Sequence, residues 1–254
     1  MLKKAVALGV PYFTFSFATW LLKTVFAGSA NDAVGGLGES LFLQPISSYW
    51  FLYCLFFIFL ITPTFKNAKA ASVAVGVALL MRIVRILGGG YGLYSVQTVL
   101  ANEIWFVLGM MLVFIPIKVL KKWIGAALVV LFLTLSVFVR IGSWNNGFTY
   151  FATALIAVIG FLCVFSNWNK TNAVLSFFSK YTMPIFLMHT LFAAPTRVVL
   201  SKVGLTAWPV QVIFGIAVSI AGPVIAMMVM QKTYWLEFFV NPWKVIRGKR
   251  HVRG

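Results

Sequence analysis

The chain has 254 residues, of which 61% are hydrophobic and only 10% are charged, and its mean hydropathy is +0.97. A composition this apolar excludes a soluble globular domain of this length and indicates a polytopic membrane protein. The net charge is +17, from 21 basic and four acidic residues. The basic residues cluster at the ends of apolar segments, and no nucleic-acid-binding motif accompanies them. The charge therefore indicates membrane topology and anionic lipid, and no nucleic-acid partner is predicted.

Apolar stretches long enough to cross a membrane recur along the whole chain. They predict an all-α bundle of about eight transmembrane helices that forms a single integral membrane domain over residues 1–254. The predicted spans are residues 5–23, 47–65, 70–87, 103–120, 123–140, 148–166, 181–200 and 208–231. For the first span, a signal peptide cleaved near residues 28–30 is the alternative, but the apolar run is long for one.

The distribution of basic residues predicts the orientation of the chain in the membrane. With the N-terminus in the cytoplasm, fifteen of the 21 basic residues fall in cytoplasmic segments and six fall elsewhere. Such an asymmetry predicts that both termini face the cytoplasm. Three of the four acidic residues then lie outside, namely Asp32, Glu39 and Glu103.

The two cysteines, Cys54 and Cys163, both lie in apolar runs and are interpreted as small core residues. The sequence contains no Cys/His/Asp cluster with the spacing of a metal site. A phosphate-binding glycine loop and a Gly-x-Ser-x-Gly elbow are also absent from the sequence. We therefore predict neither a disulfide framework nor a metal cofactor.

His189 is the main candidate for a functional residue. It is the only histidine outside the C-terminal tail, and it lies in the seventh predicted span. An ionisable side chain at membrane depth is costly, so it indicates a functional site, and imidazole exchanges protons near neutral pH. The alternative is that His189 hydrogen-bonds a neighbouring helix and only stabilises the bundle.

A second group of candidates lies in the third predicted span and at the start of the fourth. Arg82 and Arg85 are three residues apart and share one helix face. Glu103 begins the next predicted span on the same outer side, which favours an Arg85–Glu103 ion pair. One interpretation is a cationic site for an anionic or polyhydroxyl group, and the other is a lipid-facing pair that snorkels to the head groups.

Two further residues complete the candidate substrate-binding set. Arg197 lies eight positions after His189, roughly 12 Å along a helix axis, and either lines the same cavity or snorkels. The other is Trp50, which lies beside Tyr49 near the start of the second predicted span, where aromatic rings suit a membrane interface. No carboxylate is predicted at a membrane midplane, which argues against an ion- or proton-coupled transporter.

Five short sequence segments, in chain order, resemble those of a known family. They are KKAVALGVPY at residues 3–12, SYWFLYCLF at 48–56, WFVLG at 105–109, SKYTMPIFLMHT at 179–190 and EFFVNP at 237–242. In this order and spacing, the chain resembles the acyltransferase-3 family of integral membrane O-acyltransferases. It is especially similar to the fucose 4-O-acetylase-like branch, and the resemblance covers essentially the whole chain.

The resemblance implies transfer of an acyl group, commonly acetyl from acetyl-CoA, to a hydroxyl of a cell-surface or lipid-linked glycan. It implies an acyl-CoA donor, a glycan or glycolipid acceptor, membrane lipid as a partner and a bacterial plasma (inner) membrane. Acylation of a hydroxyl needs a base and stabilisation of a developing oxyanion. His189 is the imidazole in the membrane that would act as the base, with the arginines supplying positive potential.

The chain departs from the family pattern near its N-terminus. Family members begin with two further helices, the first carrying an Arg and a His regarded as central to catalysis, and no residue here matches them. Ala5 and Leu8 occupy the stretch where the family has an arginine pair. We expect the chain to begin at the family's third helix, as a truncated product, a degenerate member or a chain that borrows its first helices from a second chain.

Two other functions stay open on the sequence alone. The first is a non-catalytic membrane scaffold, or a transport or assembly subunit for surface polysaccharide, which acyl-CoA turnover would distinguish from an enzyme. The second is a small-solute transporter, for which counterflow in proteoliposomes without an acyl donor would be the evidence.

Overall fold

The structure, a computed structural model, describes residues 2–26, 35–46, 49–89, 92–116, 121–166 and 172–252. Every regular element in these ranges is helical. The α-helices are α1 (Leu2–Val25), α2 (Trp50–Ile61), α3 (Ala68–Leu87), α4 (Tyr94–Met111), α5 (Lys122–Ile141), α6 (Gly147–Phe165), α7 (Ala173–Lys202), α8 (Trp208–Met230), α9 (Tyr234–Val240) and α10 (Pro242–Val252). A π-helical turn, Glu39–Leu43, precedes α2, and a 3₁₀ turn, Leu112–Phe114, follows α4.

Seven helices in the described ranges are long and apolar enough to cross a membrane: α1, α3, α4 with its 3₁₀ extension, α5, α6, α7 and α8. The predicted all-α, polytopic membrane bundle is therefore confirmed, and the protein is an integral membrane protein. The third, fifth, sixth and eighth predicted spans agree with α3, α5, α6 and α8 to within two residues at each end. The cytoplasmic location of both termini stays a prediction.

The second predicted span, residues 47–65, is shorter than expected. The helix α2 has only 12 residues and ends at Ile61, because the backbone of the next residue, Thr62, is extended at φ −82° and ψ 116°. Thr62 precedes Pro63, and a residue before proline is sterically disfavoured in the helical region. At 1.5 Å per residue, α2 is roughly 18 Å long, well short of a hydrocarbon core of ~30 Å.

Two other spans begin earlier in the chain than predicted. The helix α4 begins at Tyr94, nine residues before the predicted start at residue 103, and α7 begins at Ala173 where residue 181 was expected. Polar residues lower the hydropathy of both starts, but they are compatible with helix when a hydroxyl bonds back to the preceding turn. The Thr98 hydroxyl bonds in this way to the Tyr94 carbonyl, and that of Thr182 to the Phe178 carbonyl. The fourth span also ends earlier than predicted, because its 3₁₀ turn ends at Phe114 and Ile115 is extended; the predicted end, residue 120, lies outside the described ranges.

The chain divides into two compact units. The first comprises Met1–Thr62, Leu93–Val99 and Ala173–Gly254, and the second comprises Pro63–Gly92 and Leu100–Asn172. In the first unit, α7 and α8 form a long antiparallel hairpin, and α1 packs against α2, α7, α9 and α10. A single domain over residues 1–254 stays a prediction.

The core of the first unit surrounds the part of α7 that precedes His189. Its buried residues are Tyr12, Phe15, Ile46, Tyr49, Leu52, Tyr181, Leu187, Met188, Val224, Met227 and Val240. They come from α1, from the segment before α2, and from α2, α7, α8 and α9. Four other helices therefore contribute to the core around one stretch of α7, and they fix the position of that stretch within the unit.

In the second unit, α5 and α6 form an antiparallel hairpin with a close crossing at Gly125. A Cβ added there would lie 2.7 Å from the Cβ of Cys163, and 2.8 Å from both the Gly160 carbonyl oxygen and the Val164 nitrogen. Small residues let membrane helices approach closely, because such helices gain their stability from packing. Cys163 is buried at this crossing and Cys54 is buried in α2, so the interpretation of both as small core residues is confirmed.

We expect Gly125→Ala to destabilise the second unit, because the new methyl group would meet backbone atoms that cannot move aside. The cost should be about 1–3 kcal/mol, as for other overpacked cores. Thermal unfolding in detergent measures it. Gly76→Ala in α3 is the matched control, since a Cβ there meets nothing within 4 Å. Equal melting temperatures for the two variants would contradict the close crossing.

Candidate functional site

The imidazole of His189 lies at the middle of α7 and is hydrogen-bonded to the preceding turn of its own helix. His189 is the seventeenth of the 30 residues of α7 and is half-buried. Its Nδ1 atom is 2.8 Å from the Phe186 carbonyl oxygen and 3.2 Å from the Ile185 carbonyl oxygen. A carbonyl oxygen only accepts, so Nδ1 carries a proton and donates it. In the neutral ring the lone pair is then on Nε2, which is the atom able to take a proton.

The surroundings of this imidazole are aromatic on one side. The ring centroid of Phe186 lies 6.4 Å from that of His189, and the ring of Phe51 in α2 meets the Phe186 ring edge-on at 5.8 Å. Such rings reduce the contact of the imidazole with water. A base in such a place needs an internal hydrogen bond to fix its orientation, and the Phe186 carbonyl provides one.

Tyr49 connects α1 to α7 two residues before His189. Its hydroxyl oxygen is 3.0 Å from the Leu187 carbonyl oxygen and 2.9 Å from the Thr19 hydroxyl oxygen. The carbonyl can only accept a hydrogen bond, so the Tyr49 hydroxyl donates its one hydrogen bond to Leu187. The Tyr49 oxygen therefore accepts a hydrogen bond from the Thr19 hydroxyl. Tyr49 is fully buried, at 0% exposure, whereas the sequence indicated an aromatic ring at a membrane interface.

Two tyrosine hydroxyls of the first unit donate hydrogen bonds to the backbone of residues 35–46, which lie between α1 and α2. The hydroxyls of Tyr12 and Tyr53 donate to consecutive carbonyls, those of Leu41 and Phe42, each at 2.6 Å. The segment is therefore fixed to both helices that flank it.

Arg82 packs between helices of the second unit. Its Nη1 donates to the Ala101 carbonyl oxygen of α4 at 2.9 Å, and its guanidinium carbon lies 5.4 Å from the ring centroid of Phe151 in α6. These contacts favour the inward-facing interpretation of Arg82 over lipid-facing snorkelling. The Nε atoms of Arg82 and Arg85 are both buried and have no hydrogen-bonding partner in the described part of the chain.

Glu103 lies inside a membrane span. It is the tenth residue of the 21-residue span Tyr94–Phe114 and is only 5% exposed. The prediction that no carboxylate lies mid-span is therefore wrong, because α4 starts earlier than its hydropathy indicates. The argument against a coupled transporter that rested on this absence no longer holds. The Arg85–Glu103 ion pair stays a prediction.

The six predicted site residues divide equally between the two units. The first unit contains His189, Arg197 and Trp50, and the second contains Arg82, Arg85 and Glu103. Arg197 is half-buried and lies eight residues after His189 on α7, so the two are separated by about 12 Å along the helix axis. Trp50, the first residue of α2, is also half-buried.

Sequence analysis missed Thr19 and the internal position of Tyr49. The signal available was a pair of hydroxyl groups in apolar segments, which in membrane proteins often bond across helices. Among the described residues, no group of three or more His, Cys, Asp and Glu side chains is arranged to hold a metal ion.

Comparison with known families identifies the class of protein. The sequence model of the acyltransferase-3 family, described as an acyltransferase domain, matches residues 1–228. The match covers about nine-tenths of the chain, and the protein therefore belongs to this family of membrane acyltransferases. No curated protein and no solved structure gives a significant match. Family membership implies a transferase that uses an acyl donor.

The geometry of α7 predicts that neutral His189 carries its proton on Nδ1. The chain has two histidines, so His251→Ala leaves a single imidazole to observe. With isotope-labelled histidine, nitrogen NMR of the membrane-embedded protein should find the Nδ1–H tautomer in excess, because the Phe186 carbonyl accepts only from a protonated Nδ1. A predominance of the Nε2–H tautomer would contradict this geometry.

Proposed function

We propose that the protein transfers an acyl group, most simply acetyl, from acyl-CoA to a hydroxyl of a cell-surface or lipid-linked glycan. The observation that carries the proposal is the bond from Nδ1 of His189 to the Phe186 carbonyl oxygen, which leaves Nε2 as a base. Family membership supplies the reaction class. The donor, the acceptor and the fucose 4-O-acetylase-like branch are part of the proposal.

In the proposed reaction, Nε2 of His189 takes the proton of the acceptor hydroxyl while its oxygen attacks the thioester carbonyl carbon. A carbon–oxygen bond forms, and the carbonyl oxygen becomes an oxyanion. Collapse of this intermediate breaks the carbon–sulfur bond, and the departing thiolate receives the proton from Nε2. The Nδ1–H bond to the Phe186 carbonyl holds the ring in place and stabilises the imidazolium that forms between the two steps.

The remaining candidates are proposed to bind substrate. Arg82 and Arg85 have buried Nε donors without a partner among the described residues, and buried donors are costly unless an acceptor is supplied. An anionic or polyhydroxyl part of a substrate would supply it, with Glu103 balancing the charge. Arg197 would stabilise negative charge beside α7, and Trp50 would offer its ring face to a sugar.

The proposed donor side is the end of the first unit where α1 begins. The Lys3 ammonium lies 5.9 Å from the ring centroid of Trp243 in α10, so the start of α1 lies against the helix that carries Lys244 and Arg247. We propose that this end faces the cytoplasm of a bacterial cell, meets the coenzyme A phosphates and contacts anionic lipid.

Replacing His189 tests the proposed base. We expect His189→Ala to lower transfer of labelled acetyl from acetyl-CoA to a mixed glycan pool by about 10²–10⁴-fold, the usual contribution of acid–base catalysis. His189→Gln keeps a polar side chain without a titratable base, and it should lower acetyl transfer by the same factor. His251→Ala is the control for loss of an imidazole and should keep kcat, because His251 lies in α10 and is not the proposed base.

Two results would count against this proposal. Equal transfer by wild type and both His189 variants would exclude His189 as the base. If correctly folded wild type bound acyl-CoA without transfer, the scaffold function would be favoured instead.

Replacing the buried arginines tests the proposed anion site. Arg82→Gln and Arg85→Gln should each lower kcat/KM for acetyl transfer by about tenfold to hundredfold. This loss is the equivalent of ~1.5–3 kcal/mol for a charged hydrogen bond. The loss should appear as a higher KM in acetyl transfer. Arg140→Gln, at the exposed end of α5, is the matched control. Unchanged KM and kcat in both variants would exclude substrate binding by this pair.

A further inference from the structure

We propose that Tyr49 is a positioning residue for His189, acting through the backbone of α7. The inference rests on the proposed role of His189 as the base, but its geometry can be tested without any substrate. The observation behind it is a set of side-chain hydrogen bonds on one turn of a membrane helix.

Three successive carbonyls of α7, those of residues 185–187, receive side-chain donors. The Ile185 and Phe186 carbonyl oxygens lie 3.2 Å and 2.8 Å from Nδ1 of His189, and the Leu187 carbonyl oxygen lies 3.0 Å from the Tyr49 hydroxyl. A carbonyl in a regular helix accepts from one backbone N–H four residues later. A second donor on each of these three carbonyls constrains how the peptide units of this turn can tilt.

The donor from outside the helix is itself fixed. Tyr49 and Leu187 are each 0% exposed, and Thr19, which donates to the Tyr49 oxygen, is 7% exposed. Water is not available there to replace a lost partner, so the hydroxyl keeps its bond to Leu187. The position of the Leu187 peptide is therefore set relative to α1 and to the start of α2.

The peptide unit that Tyr49 holds is adjacent to the one that the imidazole binds. The Phe186 carbonyl belongs to the peptide unit that joins Phe186 to Leu187, directly before the unit whose carbonyl Tyr49 holds. If the second unit rotates, the first must adjust, and the bond from Nδ1 lengthens or bends. The Nε2–H tautomer then becomes populated, and in that form Nε2 cannot accept the proton of a substrate.

The test replaces the Tyr49 hydroxyl and observes the imidazole directly. In a His251→Ala background with isotope-labelled histidine, Tyr49→Phe should raise the fraction of the Nε2–H tautomer relative to the parent. In acetyl transfer, kcat should fall by roughly tenfold to hundredfold, the usual cost of a misplaced catalytic group. KM for acyl-CoA should stay within about twofold, since no donor contact is removed.

Tyr53→Phe is the matched control for this experiment. It removes the same hydroxyl from a nearby tyrosine whose bond goes to the Phe42 carbonyl, at 2.6 Å, in the segment between α1 and α2. The tautomer ratio and kcat should match those of the parent. A shift as large as that of Tyr49→Phe would mean that any loosening of the first unit disturbs His189, and would overturn the assignment to Tyr49.

A second variant covers the case in which Tyr49→Phe does not fold. Thr19→Val keeps the side-chain shape and removes the hydroxyl that bonds to Tyr49, so it should change the tautomer ratio in the same direction by a smaller amount. An unchanged tautomer ratio in every folded variant of Tyr49 and Thr19 would overturn the proposal. Since the NMR measurement needs no substrate, a tautomer shift in a protein without transfer activity would uphold the positioning and refute the proposed function alone.

Discussion

The hydrogen bond from the Tyr49 hydroxyl to the Leu187 carbonyl joins the start of α2 to α7, two parts of the first unit that are distant in the sequence. Its partners are separated by 138 residues, and Thr19 extends the same network to α1. In an apolar bundle, packing alone fixes the position of a helix along its axis weakly, because lipid and apolar side chains offer similar contacts. A directional bond from one side chain to one carbonyl specifies that position, and with it the place of His189.

Backbone carbonyls also accept hydrogen bonds from two other polar side chains of the spans. His189 donates to carbonyls of its own helix, and Arg82 donates to the Ala101 carbonyl of α4. The composition explains why carbonyls serve this purpose. The chain has four acidic residues against 21 basic ones, so carboxylates are too few to accept from the donors. Backbone carbonyls keep a second lone pair after the helical bond is made, and they are the acceptors that remain.

Hydropathy predicted most of the fold, because the membrane itself selects long apolar helices, and its errors have local causes. A proline ended α2 early through its effect on Thr62, which the sequence contained but a sliding average does not weigh. Polar residues at the start of α4 were interpreted as a loop although they fold as helix, and this placed Glu103 at a span end. His189 was predictable because an ionisable residue in an apolar run is rare. The burial of Tyr49 was not, since a tyrosine beside a tryptophan at the start of a span is equally typical of an interface.

The family match ends at residue 228, within the last turn of α8, but the first unit does not end there. Val240 and Val245, in α9 and α10, are 1% and 4% exposed, and both helices pack against α1. Lys244 pairs with Glu237 at 2.6 Å across the junction of the two helices. An exposed ion pair of this kind adds little stability, so the burial of the two valines is the main attachment. The C-terminal segment therefore packs against α1, the helix that carries Thr19, and the restraint on His189 draws on residues beyond the part of the chain that defines the family.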